Sequence, residues 1–529
     1  MPLPTSDMTW PPIDPIVQSD LADWDAWYSA EPDRLEQRYT NRGAIGTPNR
    51  PAQYAGGVRG WIARTWWGTP TPAGERRTKL HIPLAGDIAR TSSGLLFSEP
   101  PKLISDDDTT QARLDDLVEN GLHPTLLESG ELCAALGGAY YRVVWDEEVS
   151  DRPWIDTVAA DRAVPEFRYG KLVAVTFWTV LADPEDPTGR RVFRHLERHE
   201  KGRIYHGLYE GSATSLGAAR PLQDHPATAP LAAEVDANGG LDTGAPDHLT
   251  ASYMPNVRPA RSWRHIPSAA YWGQSDFQGI EGILDALDEA WSSWMRDIRL
   301  GKGRIVVADA LLQSQGPGQG AAWNEDREVY AGLNMLPRAG DPNPITPVQF
   351  AIRVAEHRES CSALVEQAAH QSGYSAATFG ETGEGSAVTA TEIRARQRRT
   401  LMTRAKKSLY GIPAISDITG ALLAVEAGPR FGVQGLDVSE PPKVEFEDSI
   451  SESSGELAAT VELLNRAVAA STDTKVRLMH PDWDDKQVKA EVEAILGENA
   501  MGPTADPTLT GAEGAPGAGF PSDGGGSRP

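Results

Sequence analysis

Cysteine is nearly missing from this chain, with 2 in 529 residues. Cys133 and Cys361 each lie in apolar, helical contexts, so they are expected as buried small side chains in a reducing compartment, not as a disulfide. Positive charge is scarce too: 50 lysines and arginines face 74 acids, leaving a net charge of −24. A protein that grips nucleic acid carries a basic footprint, so adhesion to DNA is not expected. No run approaches the roughly 18 apolar residues of a membrane span. Met1–Trp10 lacks the basic start and apolar run of a secretory signal. Motifs for chemistry are missing as well. Gly380–Gly385 has the glycines of a phosphate cradle, but no Gly-Lys-Ser/Thr follows, and Glu381 and Glu384 would repel phosphate. There is no GxSxG elbow, and neither cysteine has a motif around it. His195, Glu197 and His199 alternate as ligands on one strand face could, a spacing that any polar strand face also produces. No catalytic residue, cofactor or metal is expected.

What the chain does have is long helix signals in a fixed order. Phe277, Ile280, Leu284, Leu287, Trp291, Trp294 and Ile298 recur at steps of three and four, which predicts one apolar stripe along a helix from Ser275 to Leu300. Ser275 with Gln278 reads as a capping box at its start. The opposite face carries Asp276, Glu281, Asp285, Asp288 and Glu289, with no base before Arg296. Such a helix suits a rod packed beside copies of itself, or a core helix of a large globular enzyme. Short strands and turns follow over Gly303–Ile345. Thr346, Pro347 and Gln349 then read as the start of a second helix, Pro347–Ser372, closed by Gly373. Tyr374–Ala387 is glycine-rich and polar. Thr389 opens a third long helix that Gly411-Ile-Pro413 should kink or break. Its first turns hold Arg394, Arg396, Arg398, Arg399, Arg404, Lys406 and Lys407 against Glu392. A helix spreads these around its circumference, so they read as intersubunit partners of acidic helix faces, as a solvated face, or as phosphate contacts.

The remainder reads as an α+β body. A short helix at Leu21–Arg38 carries Trp24, Trp27 and Tyr28 within a proline-rich terminal region, as an arm on a neighbour or folded onto its own domain. A helix is expected over Thr109–Leu136. Strands are expected over Ala139–Trp145, Trp154–Ala159, Lys171–Val180 and Arg191–Tyr209. Ser212–His248 reads as a loop insertion, and Glu456–Ala470 and Asp484–Leu496 as two short helices. The Pro/Gly/Ser tail beyond Gly502 is too polar to fold. Most of the 15 tryptophans read as core or interface anchors.

This order resembles the portal proteins of tailed double-stranded DNA phages. The resemblance rests on Gly273–Asp276 opening the first helix, Leu287–Glu289 with Trp291 and Trp294 inside it, and Arg304–Val307 after it. Thr389–Arg396 at the start of the third helix and Val444–Asp448 add to it. It spans roughly residues 60 to 500, by order of elements and not by any single motif. It implies a non-enzymatic α+β subunit of a ring of about twelve copies. The parts would be an N-terminal arm (1–60), a wing (61–274), a stem helix (275–301), a clip (302–346) and a second stem helix (347–372). A tunnel loop (373–388), wing with a long kinked helix (389–450), crown (451–500) and disordered tail (501–529) would complete it. Thr378, Gly380, Glu381, Gly383, Glu384, Gly385 and Ser386 would face DNA. The stem acids would line the channel or meet a neighbouring subunit. Implied partners are the terminase large subunit, head-completion or adaptor proteins, major capsid and scaffolding proteins, and duplex DNA passing without sequence specificity. The location implied is the capsid vertex of a virion assembled in the host cytoplasm, with no membrane.

Overall fold

The computed structural model describes residues 3–35, 80–182, 191–300, 304–307, 313–314, 321–322, 345–348, 353–379, 390–446, 454–467, 469–480, 483 and 485–500. The chain divides into two compact units, Met1–Glu447 and Asp448–Pro529.

In the first unit, helix α1 (Pro15–Ser29) starts on Asp14, whose carboxylate accepts from the Ile16 N–H, with Pro15 in the first turn. Val17, Leu21, Trp24 and Trp27 are buried in the main apolar cluster, and the Trp24 ring lies 5.0 Å from that of Trp263. The helix therefore folds into the core of its own chain instead of lying outside as an arm. Helix α2 (Leu84–Phe97) and strand β1 (Lys102–Ile104) follow. The expected helix over Thr109–Leu136 is two helices, α3 (Asp108–Leu117) and α4 (His123–Leu136). A π-helical turn with non-helical backbone at Asn120 and Gly121 joins them.

Strands β2 (Gly138–Val144) and β3 (Trp154–Ala159) pair antiparallel. The series β4 (Ala163–Arg168), β5 (Lys171–Leu181), β6 (Val192–Glu200), β7 (Arg203–Gly211) and β8 (Ala218–Arg220) forms an antiparallel meander. Strand β9 (Gly240–Asp242) joins it beside β7, so the presumed insertion completes this sheet. Strand β10 (Ala251–Pro255) returns to β2, giving the order β10-β2-β3. That sheet is covered on both faces. Tyr140 faces the main cluster, while Ala139, Tyr141 and Val143 face a second cluster, as the period of two requires.

Helix α5 (Glu281–Leu300) begins later than Ser275. Gly279 has φ 91°, a left-handed conformation that a helix cannot continue through. Ser275 and Gln278 do not form a capping box: the Ser275 hydroxyl donates to the Ala135 carbonyl, and the Gln278 amide to Ser262. Strand β11 (Arg304–Val307) is followed by the short pair β12 (Gln313–Ser314) and β13 (Ala321–Ala322). Strand β14 (Ile345–Val348) then pairs antiparallel with β11. Thr346 and Pro347 thus lie in a strand, not at a helix start. Proline is tolerated on a ladder of two strands, where one edge needs no donor. Helix α6 (Val354–Ser372) ends on Gly373, φ 94°.

Helix α7 (Ala390–Ala427) runs 38 residues with Pro413 inside it, rather than ending there. Pro413 cannot donate to the Leu409 carbonyl, but Leu409 is 68% exposed, so water can serve that group. Ile415, Ile418, Leu422 and Val425 are buried in the second cluster at helical spacing. The stretch Arg398–Ala427 is long and apolar enough to cross a membrane by length and composition, which corrects the expectation that no stretch is; 61% of its apolar window is buried, as in a core helix. The Arg113 guanidinium meets the buried Glu426 carboxylate of α7 at 2.6 Å. Strand β15 (Lys443–Glu445) closes the unit by pairing with β1, Leu103 opposite Val444.

Among its described residues the second unit contains α8 (Ser454–Arg466), α9 (Thr472–Met479) and α10 (Asp485–Ala500), three helices where two are expected. The Ser471 hydroxyl accepts from the Thr474 N–H and starts α9. Val476 and Val488 are buried.

Candidate functional site

The stem acids and part of the basic cluster singled out by the sequence come together around the hairpin made by α5 and α6. The two helices run antiparallel, because Asp297 near the end of α5 meets His357 in the first turn of α6, while Asp276 before α5 meets Tyr374 after α6.

At the base of this hairpin five segments share one buried polar cluster. Turns after β10 bring Asp276 against α4, where its N–H donates to the Ala134 carbonyl at 2.9 Å. Asn256 donates to Oδ1 of Asp276 at 2.8 Å. The Tyr374 hydroxyl and Lys407 Nζ of α7 donate to Oδ2 at 2.7 and 2.6 Å. Lys407 also donates to Ser92 of α2 at 2.6 Å and to the Tyr374 oxygen at 2.9 Å. The three donors of the ammonium thus have three acceptors. Burial, and then the Asp276 charge, push the Tyr374 phenol well above its ordinary value, so it stays a donor. Cys133, close by, is pushed up to about 12 by burial and is an inert thiol. An unpaired charge here would cost several kcal/mol, so the cluster fixes α2, α7 and both ends of the hairpin in one geometry.

The segment after α6 is tied to the same helix. Gly373 takes the left-handed conformation that lets the chain leave α6, and a Cβ there would stand 2.9 Å from the Thr403 hydroxyl. That hydroxyl donates to the Gly373 carbonyl at 2.6 Å. Thr400 accepts from the Ser375 N–H and lies 3.0 Å from the Thr378 hydroxyl. Thr378 is therefore held against its own chain at the root of the segment, within a 3-10 turn, Ala376–Phe379. Gly380, Glu381, Gly383, Glu384, Gly385 and Ser386 lie outside the described residues.

The five stem acids separate into different environments. Asp276 and Asp288 are buried. Asp288 accepts from the Ile82 N–H at 2.9 Å and lies 2.8 Å from His81 Nδ1, which clips residues 80–82 onto α5. Glu281 accepts from the Trp24 indole at 3.1 Å and from the Gly279 N–H at 2.8 Å. Asp285 is half-buried, and Glu289 is the exposed member of the set.

The basic residues of α7 also divide. The side chains of Arg394 and Arg396 lie outside the described residues, and Arg398 and Arg399 are exposed. Arg399 donates to His370 of α6 at 2.8 Å, and Arg404 to the Leu95 carbonyl of α2 at 2.7 Å. Lys407, which sequence reasoning grouped with them, is buried. A signal for it was present: Thr400, Thr403 and Lys407 follow at steps of three and four, one small polar stripe on a helix.

At the far end of the hairpin Asp297 accepts from His357 at 2.9 Å and Arg353 at 3.2 Å. These two bonds, that of His357 first, hold its carboxyl below the usual range. The Trp294 ring is nearly parallel to that of His357, 6.1 Å away. The apolar stripe leaves the core along α5. Leu284 and Leu287 are buried, Trp291 and Trp294 partly so, and Ile298 is 41% exposed.

His195, Glu197 and His199 sit on β6, but His199 turns to Thr250 at 2.8 Å and to Glu197 at 2.6 Å. The ring that comes to His195 is His206 of β7, at 3.1 Å.

No family model matches the sequence, and no curated protein matches it. Among solved structures, the chain is similar to one in the neck of the native GTA particle computed with C12 symmetry. The TM-score is 0.38 at 14% identity, over 75% of this chain and 90% of that one. It is also similar to one in the neck of the empty GTA particle computed with C6 symmetry, with a TM-score of 0.39 at 13% identity, over 77% and 92%. Scores this low do not establish a shared fold.

Proposed function

We propose that this chain is a portal-type subunit, about twelve copies of which form a ring around a channel for double-stranded DNA at a capsid vertex. The observation that carries the reading is the order of elements in one chain. An α+β body leads into an antiparallel hairpin, α5 and α6, whose helices leave and return through the strand pair β11–β14. A short polar segment then precedes the 38-residue α7.

In this reading the stem, 275–301 and 347–372, frames the channel, and the clip, 302–346, docks first the terminase large subunit and later an adaptor protein. The loop 373–388 reaches toward DNA from a root pinned at Thr400 and Thr403. Its glycines give it freedom, and Glu381 and Glu384 keep it from sticking to phosphate. The net charge of −24 on each copy lets a duplex, with one negative charge per roughly 1.7 Å of axis, slide without adhering. The hydrolysis of ATP belongs to the terminase. The stripe Trp291–Trp294–Ile298, emerging where α5 leaves its own core, is an apolar surface that a neighbouring copy would cover.

Electron microscopy of the purified protein, averaged end-on, tests the assembly: a ring of about twelve subunits with an open centre is expected, and a monomer under capsid-assembly conditions counts against it. Replacing Glu381 and Glu384 by Lys should leave rings intact and impair packaging. Unchanged packaging would remove the charge of this loop from the mechanism.

A further inference from the structure

Away from the hairpin, the ladder of β6 and β7 collects a second group of chemistry-bearing side chains. Glu197 stands opposite His206 in the register, and His195, two residues back on β6, shares their face of the sheet. His195 Nε2 is 3.1 Å from His206 Nδ1, with the rings 14° from parallel. The ligand-capable atoms of His195, Glu197 and His206 all lie within 4.8 Å of one another. Ligands about 2.0–2.1 Å from a tetrahedral zinc ion stand roughly 3.4 Å apart, so the two imidazoles are already near that spacing, and the carboxylate would close in on binding.

The surroundings suit such a role. His206 is 8% exposed, and Nδ1 is the ring nitrogen turned to His195. Glu197 is oriented by two neighbours. Arg142 and His199 bond its two oxygens at 2.8 and 2.6 Å. Each carboxylate oxygen has a further lone pair, and ligating carboxylates are commonly oriented by such neighbours. Arg142 adds an opposing charge near the site, shared with Asp156 at 2.8 Å.

We propose that His195, Glu197 and His206 bind a divalent ion of the zinc class, cross-linking β6 to β7, with a fourth position left to water beside the half-buried His195. Two imidazoles and one carboxylate are a donor set that zinc accepts readily. Sequence spacing groups His199 with His195 and Glu197, whereas the ladder brings His206 to them, because a ladder partner is set by register and not by distance along the chain.

The test uses the full chain, stripped with a chelator and dialysed against micromolar zinc chloride, with bound metal counted by mass spectrometry. One zinc per chain is expected, with affinity at least about tenfold weaker in His195→Ala. Zinc should raise the melting temperature of the parent and not of the variant. His195→Gln provides the same comparison should the alanine variant fold poorly. Cobalt substitution should give the visible absorption of a four-coordinate site in the parent only. Equal zinc binding by parent and variants, or no binding by the parent, overturns the proposal.

Discussion

At its base the α5–α6 hairpin buries a lysine, a carboxylate and a phenol with every donor answered, whereas at its tip a histidine, an arginine and a carboxylate meet partly in solvent. The apolar stripe behaves in the same way, fully buried at Leu284 and Leu287 and surfacing at Ile298. One continuous periodicity therefore serves two ends with different tasks. The base is fixed to three other elements, and the tip presents surface. Residue type does not separate the two ends, since both hold Asp paired with a cation. What separates them is how many segments of the body close over the pair.

The largest effect should come from breaking the base. Lys407→Ala leaves Asp276 buried without its cation and is expected to cost about 3–5 kcal/mol in urea unfolding of the first unit. His357→Ala at the tip should cost much less, because a polar contact near solvent contributes little. Equal losses would end the distinction between the two ends. Next, Leu284→Ala should cost about 2–5 kcal/mol as a core truncation, and Ile298→Ala should change the isolated subunit by no more than about 0.5 kcal/mol. A larger loss at Ile298 in assembled protein than in the monomer would mark the tip as an interface.

The smallest expected effect is on pH dependence. Asp297 titrates lower in the folded chain than its ordinary 3.8, held down by His357 and Arg353. Its contribution is present in full above that ordinary value and is lost as pH falls through the lowered one. Unfolding measured from pH 6 to pH 3 should be less acid-sensitive in Asp297→Asn than in the parent. An identical slope would show that the bond pattern at the tip has no energetic consequence.

Much of the framework was legible because it follows local periodicity. The stripe from Leu284 to Ile298, the strand at Trp154–Ala159 and the strand at Arg304–Val307 follow from apolar spacing and short-range pattern. Helix starts were less legible, since a capping signature is only a list of side chains that could bond. At Ser275 the hydroxyl found a carbonyl of α4 instead, and at Thr346–Pro347 a strand partner won. The site chemistry was the least legible part. Asp276 and Lys407 are 131 residues apart, and only the short polar stripe Thr400, Thr403 and Lys407 sets Lys407 apart from the bases clustered with it. His206 joins His195 only through the ladder.

The pairing of β1 with β15 has a consequence for synthesis. Leu103 meets Val444, and Arg113 of α3 meets Glu426 of α7. A ribosome adding roughly 5–20 residues per second therefore exposes the early helices for many seconds before their last partners emerge. The first unit closes only once its own end has been made, so a chain halted before residue 443 has an open second core. Premature termination would yield a chaperone client, not a smaller working part.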